Sequence, residues 1–173
     1  ILYAKPIKET SATKTYRCFQ NHNVLTVNRI LKTGWDGLVA ILDEGGYTRY
    51  DFSTADKMLE VFGNLKKSYK GSLNVLYNKA ADGADLEHRL GALGKGIGPT
   101  TISILLRDLR DVWPKARPMP SPLVRQAMRK LRIENLEDFA RSRHLDVARL
   151  EPALLRLSKD FTKKGRIVRI EDV

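Results

Sequence analysis

The chain has 173 residues, 42% of them apolar, which is enough for a buried core in one compact domain or in two small lobes sharing a cleft. Lys and Arg number 31 against 20 Asp and Glu, a net charge of +11 that fits either a polyanionic partner or a surface with surplus lysine. One cysteine, Cys18, excludes an internal disulfide and a cysteine-rich metal site, and His22, His88 and His144 stand in no metal-ligand spacing.

Helical periodicity runs through most of the chain. Residues 24–32 place Val24, Val27, Ile30 and Leu31 on one face, and residues 35–43 repeat this with Trp35, Leu38, Val39 and Leu42. Gly45 and Gly46 end that helix. A polar-aromatic turn, 47–52, follows, and Ser53 reads as the N-cap of the next helix with Asp56 as its capping-box partner. That helix carries Met58, Leu59, Val61, Phe62 and Leu65 and closes at Lys66–Gly71; a shorter one is expected over 72–80. Leu86, Leu90 and Leu93 mark one more helix, and Ile102, Leu105, Leu106, Leu109 and Val112 another. Prolines 114, 118, 120 and 122 make residues 114–122 a stiff extended connector. Helices at 123–131, 136–141 and 147–161 follow, and 166–170 is the one extended-looking stretch. The expected fold class is all-α. No apolar run reaches membrane-spanning length and no signal peptide is visible, so an intracellular monomer, in cytoplasm or nucleoid and without a membrane partner, is expected.

Between the helices over 85–112 lies Gly94-Lys95-Gly96-Ile97-Gly98, then Pro99 at the first position of the second helix, where its missing N–H costs nothing. Gly96 and Gly98 can take positive φ and admit a close backbone. The helix start behind them offers unpaired N–H groups and the positive end of the dipole, an anion site to which Lys95, Thr100 and Thr101 can add contacts. Ile97 is expected to plug between the two helices. A plain tight turn is the competing reading; the flanking amphipathic helices, Pro99 and the basic charge favour the phosphate-gripping hairpin.

Leu90, Gly96-Ile97-Gly98-Pro99-Thr100-Thr101, Trp113-Pro114 and Leu123-Val124-Arg125 together resemble the helix-hairpin-helix DNA glycosylase superfamily, which includes endonuclease III, the mispair adenine glycosylase and the alkyladenine glycosylases. Gly45–Tyr50 falls where that family has a Gly-x-x-Tyr turn, so the resemblance spans about residues 24–133. It implies a two-lobed helical fold that grips duplex DNA beside a flipped-out base. It implies no organic cofactor, and a monovalent cation held by the main-chain carbonyls of Ala92, Gly94 and Ile97. It also puts Lys5 near the residue that fills the hole left by the base.

The departures bear on catalysis. Backbone-cleaving members carry a lysine where this chain has Thr100, so no Schiff base is expected there. The aspartate that stabilises the sugar cation falls at Pro120 or Ser121, neither of which can carry charge. Substitute carboxylates would be Asp43, Glu44 or Asp51, which flank an aromatic-basic cluster in which Arg49 and Tyr50 are the expected DNA contacts and Tyr47 and Phe52 are either core or contacts. Arg125, with Arg129, Lys130 and Arg132, is either a solvated face or a second phosphate stripe, and Lys163, Lys164, Arg166 and Arg169 form a basic tail. Three functions are therefore open: a monofunctional N-glycosylase of base-excision repair, a non-catalytic DNA-binding relative, and a helical protein-interaction module.

Overall fold

A computed structural model describes residues 1–164, with side chains through Lys159, and these residues are all helical apart from their connecting turns. The expected extended stretch at 166–170 and the tail residues Arg166 and Arg169 lie outside the described residues, as do the side chains of Lys163 and Lys164. The chain divides into two compact units, 1–117 and 118–173. No helix among the described residues is long and apolar enough to cross a membrane.

The first unit holds a short 3-10 helix at Leu2–Ala4 and six α-helices: α1 (Glu9–Asn21), α2 (Val27–Glu44), α3 (Asp51–Tyr69), α4 (Leu73–Lys79), α5 (Gly83–Gly91) and α6 (Pro99–Asp108). The two apolar runs expected at 24–32 and 35–43 fall on the two limbs of α2, kinked at Gly34, where φ is +69°, but the helix starts at Val27, with Thr26 as its N-cap and Val24 before it. Leu38 and Leu42 are fully buried, whereas Trp35, expected on the same face, is 38% exposed and its Nε1 donates to Asp56 Oδ1 at 2.9 Å. Asp56 therefore caps nothing. α3 opens two residues before Ser53, with Tyr50 at its N-cap, and the Ser53 hydroxyl donates to the Tyr50 carbonyl at 3.1 Å instead of accepting from the helix.

α3 is the organising helix because its apolar stripe feeds two clusters. Ala55 and Met58 join α1 and α2 residues such as Phe19, Leu38 and Leu42, while Val61 and Leu65 join Leu76, Leu86, Leu90, Ile102, Leu106 and Trp113. Tyr47 is fully buried in the first cluster, with its hydroxyl donating to the Leu2 carbonyl at 2.6 Å, and burial pushes its pKa up to about 12. Phe52, by contrast, is 57% exposed. α6 ends at Asp108, earlier than the periodicity suggests: Val112 is exposed, and the Trp113 indole takes the core position, stacked on Tyr77 with ring centroids 4.8 Å apart.

The second unit packs α7 (Pro122–Lys130), α8 (Leu136–Ser142) and α9 (Val147–Lys164) around Val124, Ala127, Met128, Ile133, Leu136 and Leu154. Residues 114–121 are non-helical as expected, but Pro122 is the first residue of α7, not the last of the connector. Proline fits there because a helix's first N–H has no partner to lose, and Ser121 caps the turn by accepting the Val124 N–H at 3.3 Å.

Candidate nucleic-acid interface

The hairpin is assembled from α5, the turn 92–98 and α6. Asp82 caps α5 by accepting the Asp85 N–H at 2.9 Å, and the Asp85 carboxylate accepts the Ala81 N–H at 2.8 Å and the Arg89 Nε at 2.9 Å. These bonds, the Ala81 amide foremost, hold the Asp85 carboxyl below its ordinary range. A carboxylate favoured in the fold contributes stability that is present above its unfolded pKa and lost as pH falls through the lower folded value. Asp85→Asn is therefore expected to lower the urea midpoint at pH 7, with the gap to the parent closing as pH is taken below 4; an equal gap at pH 7 and pH 3 would rule out the charge as the cause.

The turn closes through the Ile97 N–H, which donates to the Gly94 carbonyl at 3.2 Å, while the Ile97 side chain packs on the cluster that contains Leu90 and Ile102. Gly96 has φ +79°, and a Cβ there would lie 2.6 Å and 2.7 Å from Lys57 Cε and Nζ. Gly98 differs from expectation. Its φ is −94° with ψ −178°, an extended backbone open to any residue, and a Cβ built on it meets no atom within 4 Å. Nothing in the fold requires glycine at 98, so its value lies in leaving the approach to α6 clear.

What lies behind Gly98 is an anion-receptive helix start. Pro99 has no N–H, no side chain caps α6, and the Thr101 hydroxyl points to the Gly96 carbonyl at 3.5 Å, away from the helix amides. Thr100 is exposed and Thr101 half-buried, and Lys95 is exposed with its main-chain N–H on Glu60 Oε2 at 3.1 Å. The helix start thus keeps its free amides and its dipole for an outside acceptor.

One face of α3 supports this turn, and periodicity alone did not single it out. Lys57, Glu60 and Asn64, at i, i+3 and i+7, serve the Gly96 carbonyl (3.0 Å), the Lys95 N–H and the Leu93 carbonyl (2.9 Å) in order. The only signal was a polar stripe beside the apolar one, and such a stripe reads equally as a solvated face. Lys57 is buried, and burial first, then the Lys5 charge, lowers its pKa from the ordinary lysine value.

The 3-10 helix packs on α6 and delivers Lys5 to the same neighbourhood. Lys5 Nζ lies 5.3 Å and Arg49 Cζ 5.6 Å from the Tyr50 ring centre. Lys5, Arg49, Tyr50 and Lys57 thus form one basic-aromatic group linked through Lys57 to the hairpin turn. Arg125 belongs to the other unit, on α7, where its guanidinium meets the Met119 sulfur; Arg129, Lys130 and Arg132 are exposed there.

The substitute carboxylates are placed elsewhere. Glu44 is exposed and bonded to His22 Nε2 at 2.6 Å. Asp43 is exposed, and partial desolvation together with the neighbouring Asp51 carboxylate raises its pKa. Asp51 also accepts the Phe52 N–H at 2.6 Å in the first turn of α3. None of the three has a bond to the hairpin turn. Among the described residues no group of three or more His, Cys, Asp or Glu is arranged to hold a metal ion. No family model matches the chain, and no curated protein and no solved structure matches it either.

Proposed function

We propose that this protein binds duplex DNA through its phosphate backbone, with the 94–101 hairpin as the grip and Lys5, Arg49 and Tyr50 as flanking contacts. The observation that carries this reading is the unobstructed Gly98 in front of an uncapped α6 start, in a chain of net charge +11. A phosphate oxygen arriving there would accept from main-chain amides while the dipole and the nearby cations stabilise its charge. Tyr50, already flanked by two cations, would lie against the sugar or an unstacked base.

Base excision is the less supported extension. It requires an acid beside the reacting sugar: Glu44 is bonded to His22, Asp43 and Asp51 neighbour each other without a bond to the hairpin turn, and Glu60, the carboxylate that does reach the turn, accepts the Lys95 N–H. A DNA-binding relative of the glycosylase type that recognises its site without releasing a base accounts for more of the geometry.

Salt dependence tests the binding. Three to four phosphate contacts imply a log–log slope of about −3, so affinity should fall on the order of a hundredfold between about 50 and 200 mM salt. A flat response, or no binding to intact, mismatched or abasic duplexes, would leave the interaction-module reading. The same duplexes scored for free base decide the catalytic question, since release above the protein-free rate would restore the glycosylase reading.

A further inference from the structure

The resemblance implies a metal ion on the carbonyls of Ala92, Gly94 and Ile97, whereas this chain brings a cation of its own to the turn. The Gly94 carbonyl accepts the Ile97 N–H at 3.2 Å, which uses one of its two lone pairs. The carbonyl that meets a cation is that of Gly96, and the cation is the ammonium of Lys57 at 3.0 Å. The fit is built from both sides. Lys57 is 9% exposed, reaching out of α3 beneath the turn, and Gly96 leaves free the volume through which its Cε and Nζ pass. The same face of α3 fixes the turn again through Glu60 on the Lys95 N–H and Asn64 on the Leu93 carbonyl. A buried lysine spends side-chain freedom and hydration to sit there, which a merely solvated face would not require.

We infer that Lys57 is the hairpin's own fixed cation: it holds the Gly94–Gly98 turn in the place of a metal ion and sets a positive charge beneath the phosphate site. It is a positioning residue: its ammonium donates to the Gly96 carbonyl from a buried side chain and acts on the phosphate through the turn and through its field. The charge part of this inference rests on the proposed DNA reading, whereas the turn-holding part does not.

Two variants and three salts test it. Lys57→Gln keeps an N–H donor for the Gly96 carbonyl without charge, and Lys57→Met keeps neither. In the full chain, exchange of the Ile97 amide reports the turn, and binding to an intact duplex reports the phosphate site. Both are measured at equal ionic strength in sodium, potassium and tetramethylammonium chloride. The parent should show the same Ile97 protection and the same affinity, within about twofold, in all three. Lys57→Gln should keep Ile97 protection and lose about three- to tenfold in affinity, with a shallower salt slope. Lys57→Met should speed Ile97 exchange at least tenfold relative to amides in the α1–α2 core, and bind more weakly than Lys57→Gln. Loss of parent protection or binding in tetramethylammonium would show that a small metal ion is required and overturn the inference. So would parent-like Ile97 protection in Lys57→Met, or parent-like affinity and slope in Lys57→Gln. If the parent binds no duplex at all, the DNA reading fails, and the Ile97 exchange still decides whether Lys57 holds the turn.

Discussion

Gly98→Asp is expected to make the protein slightly more stable and nearly unable to bind DNA. Position 98 is the N-cap of α6, with φ −94° and ψ −178°, the extended geometry that cap residues adopt, and no side chain now serves that role. An aspartate fits without strain, because a Cβ meets nothing within 4 Å. Its carboxylate would accept a free amide of the first turn and face the positive end of the dipole, a gain of about 0.5–1 kcal/mol. The same carboxylate would occupy the anion site with a covalently attached anion and repel an arriving phosphate. Loss of charge-assisted bonds worth about 1–3 kcal/mol corresponds to roughly tenfold to more than a hundredfold in affinity. Thermal unfolding and duplex titration read the two effects separately. Gly96→Ala is the contrasting case. With φ +79° and Lys57 Nζ 2.7 Å from the new Cβ, it should destabilise by about 1–3 kcal/mol before DNA is considered. A Gly98→Asp protein that melts like the parent and binds like it would remove the hairpin amides from the interface.

Leu106→Ala should cost the first unit about 2–5 kcal/mol. Leu106 is fully buried on the inner face of α6, in the cluster that joins α3, α4, α5 and Trp113. Truncating it removes buried methyl groups and leaves a cavity that the surrounding leucines close only in part. For a unit of this size the loss corresponds to a fall in Tm on the order of 10 °C, with the urea m-value little changed. The effect on DNA binding should be indirect and small at temperatures where the variant is folded, because the side chain lies in the buried cluster and not among the exposed groups of the turn. A shift of less than about 2 °C would mean that α6 is not anchored by this cluster.

The sequence by itself determined the hairpin and the helices other than the 3-10 turn at Leu2–Ala4 and α1, which no apolar period marked. Apolar spacing located the α2 limbs, α3, α5, α6 and the three helices of the second unit, because a 3.6-residue period must bury one stripe whatever its partner is. Proline spacing located the connector, and two helices around Gly96-Ile97-Gly98-Pro99 located the hairpin, since local backbone rules govern turns of that kind. Only the tertiary structure decided what those local signals leave open. The start of α3 lies at Asp51, with the Ser53 hydroxyl donating back to the Tyr50 carbonyl inside the first turn and the Asp56 carboxylate accepting from Trp35 across to α2. Trp113 displaced Val112 from the core because α6 ended first and the larger ring could stack on Tyr77. Gly96 and Gly98, alike in sequence, separated into a positive-φ turn residue with Lys57 packed against it and an open helix cap. Lys57 itself was one lysine among many until α3 was laid beneath the hairpin, a contact between residues 39 positions apart that no local period encodes.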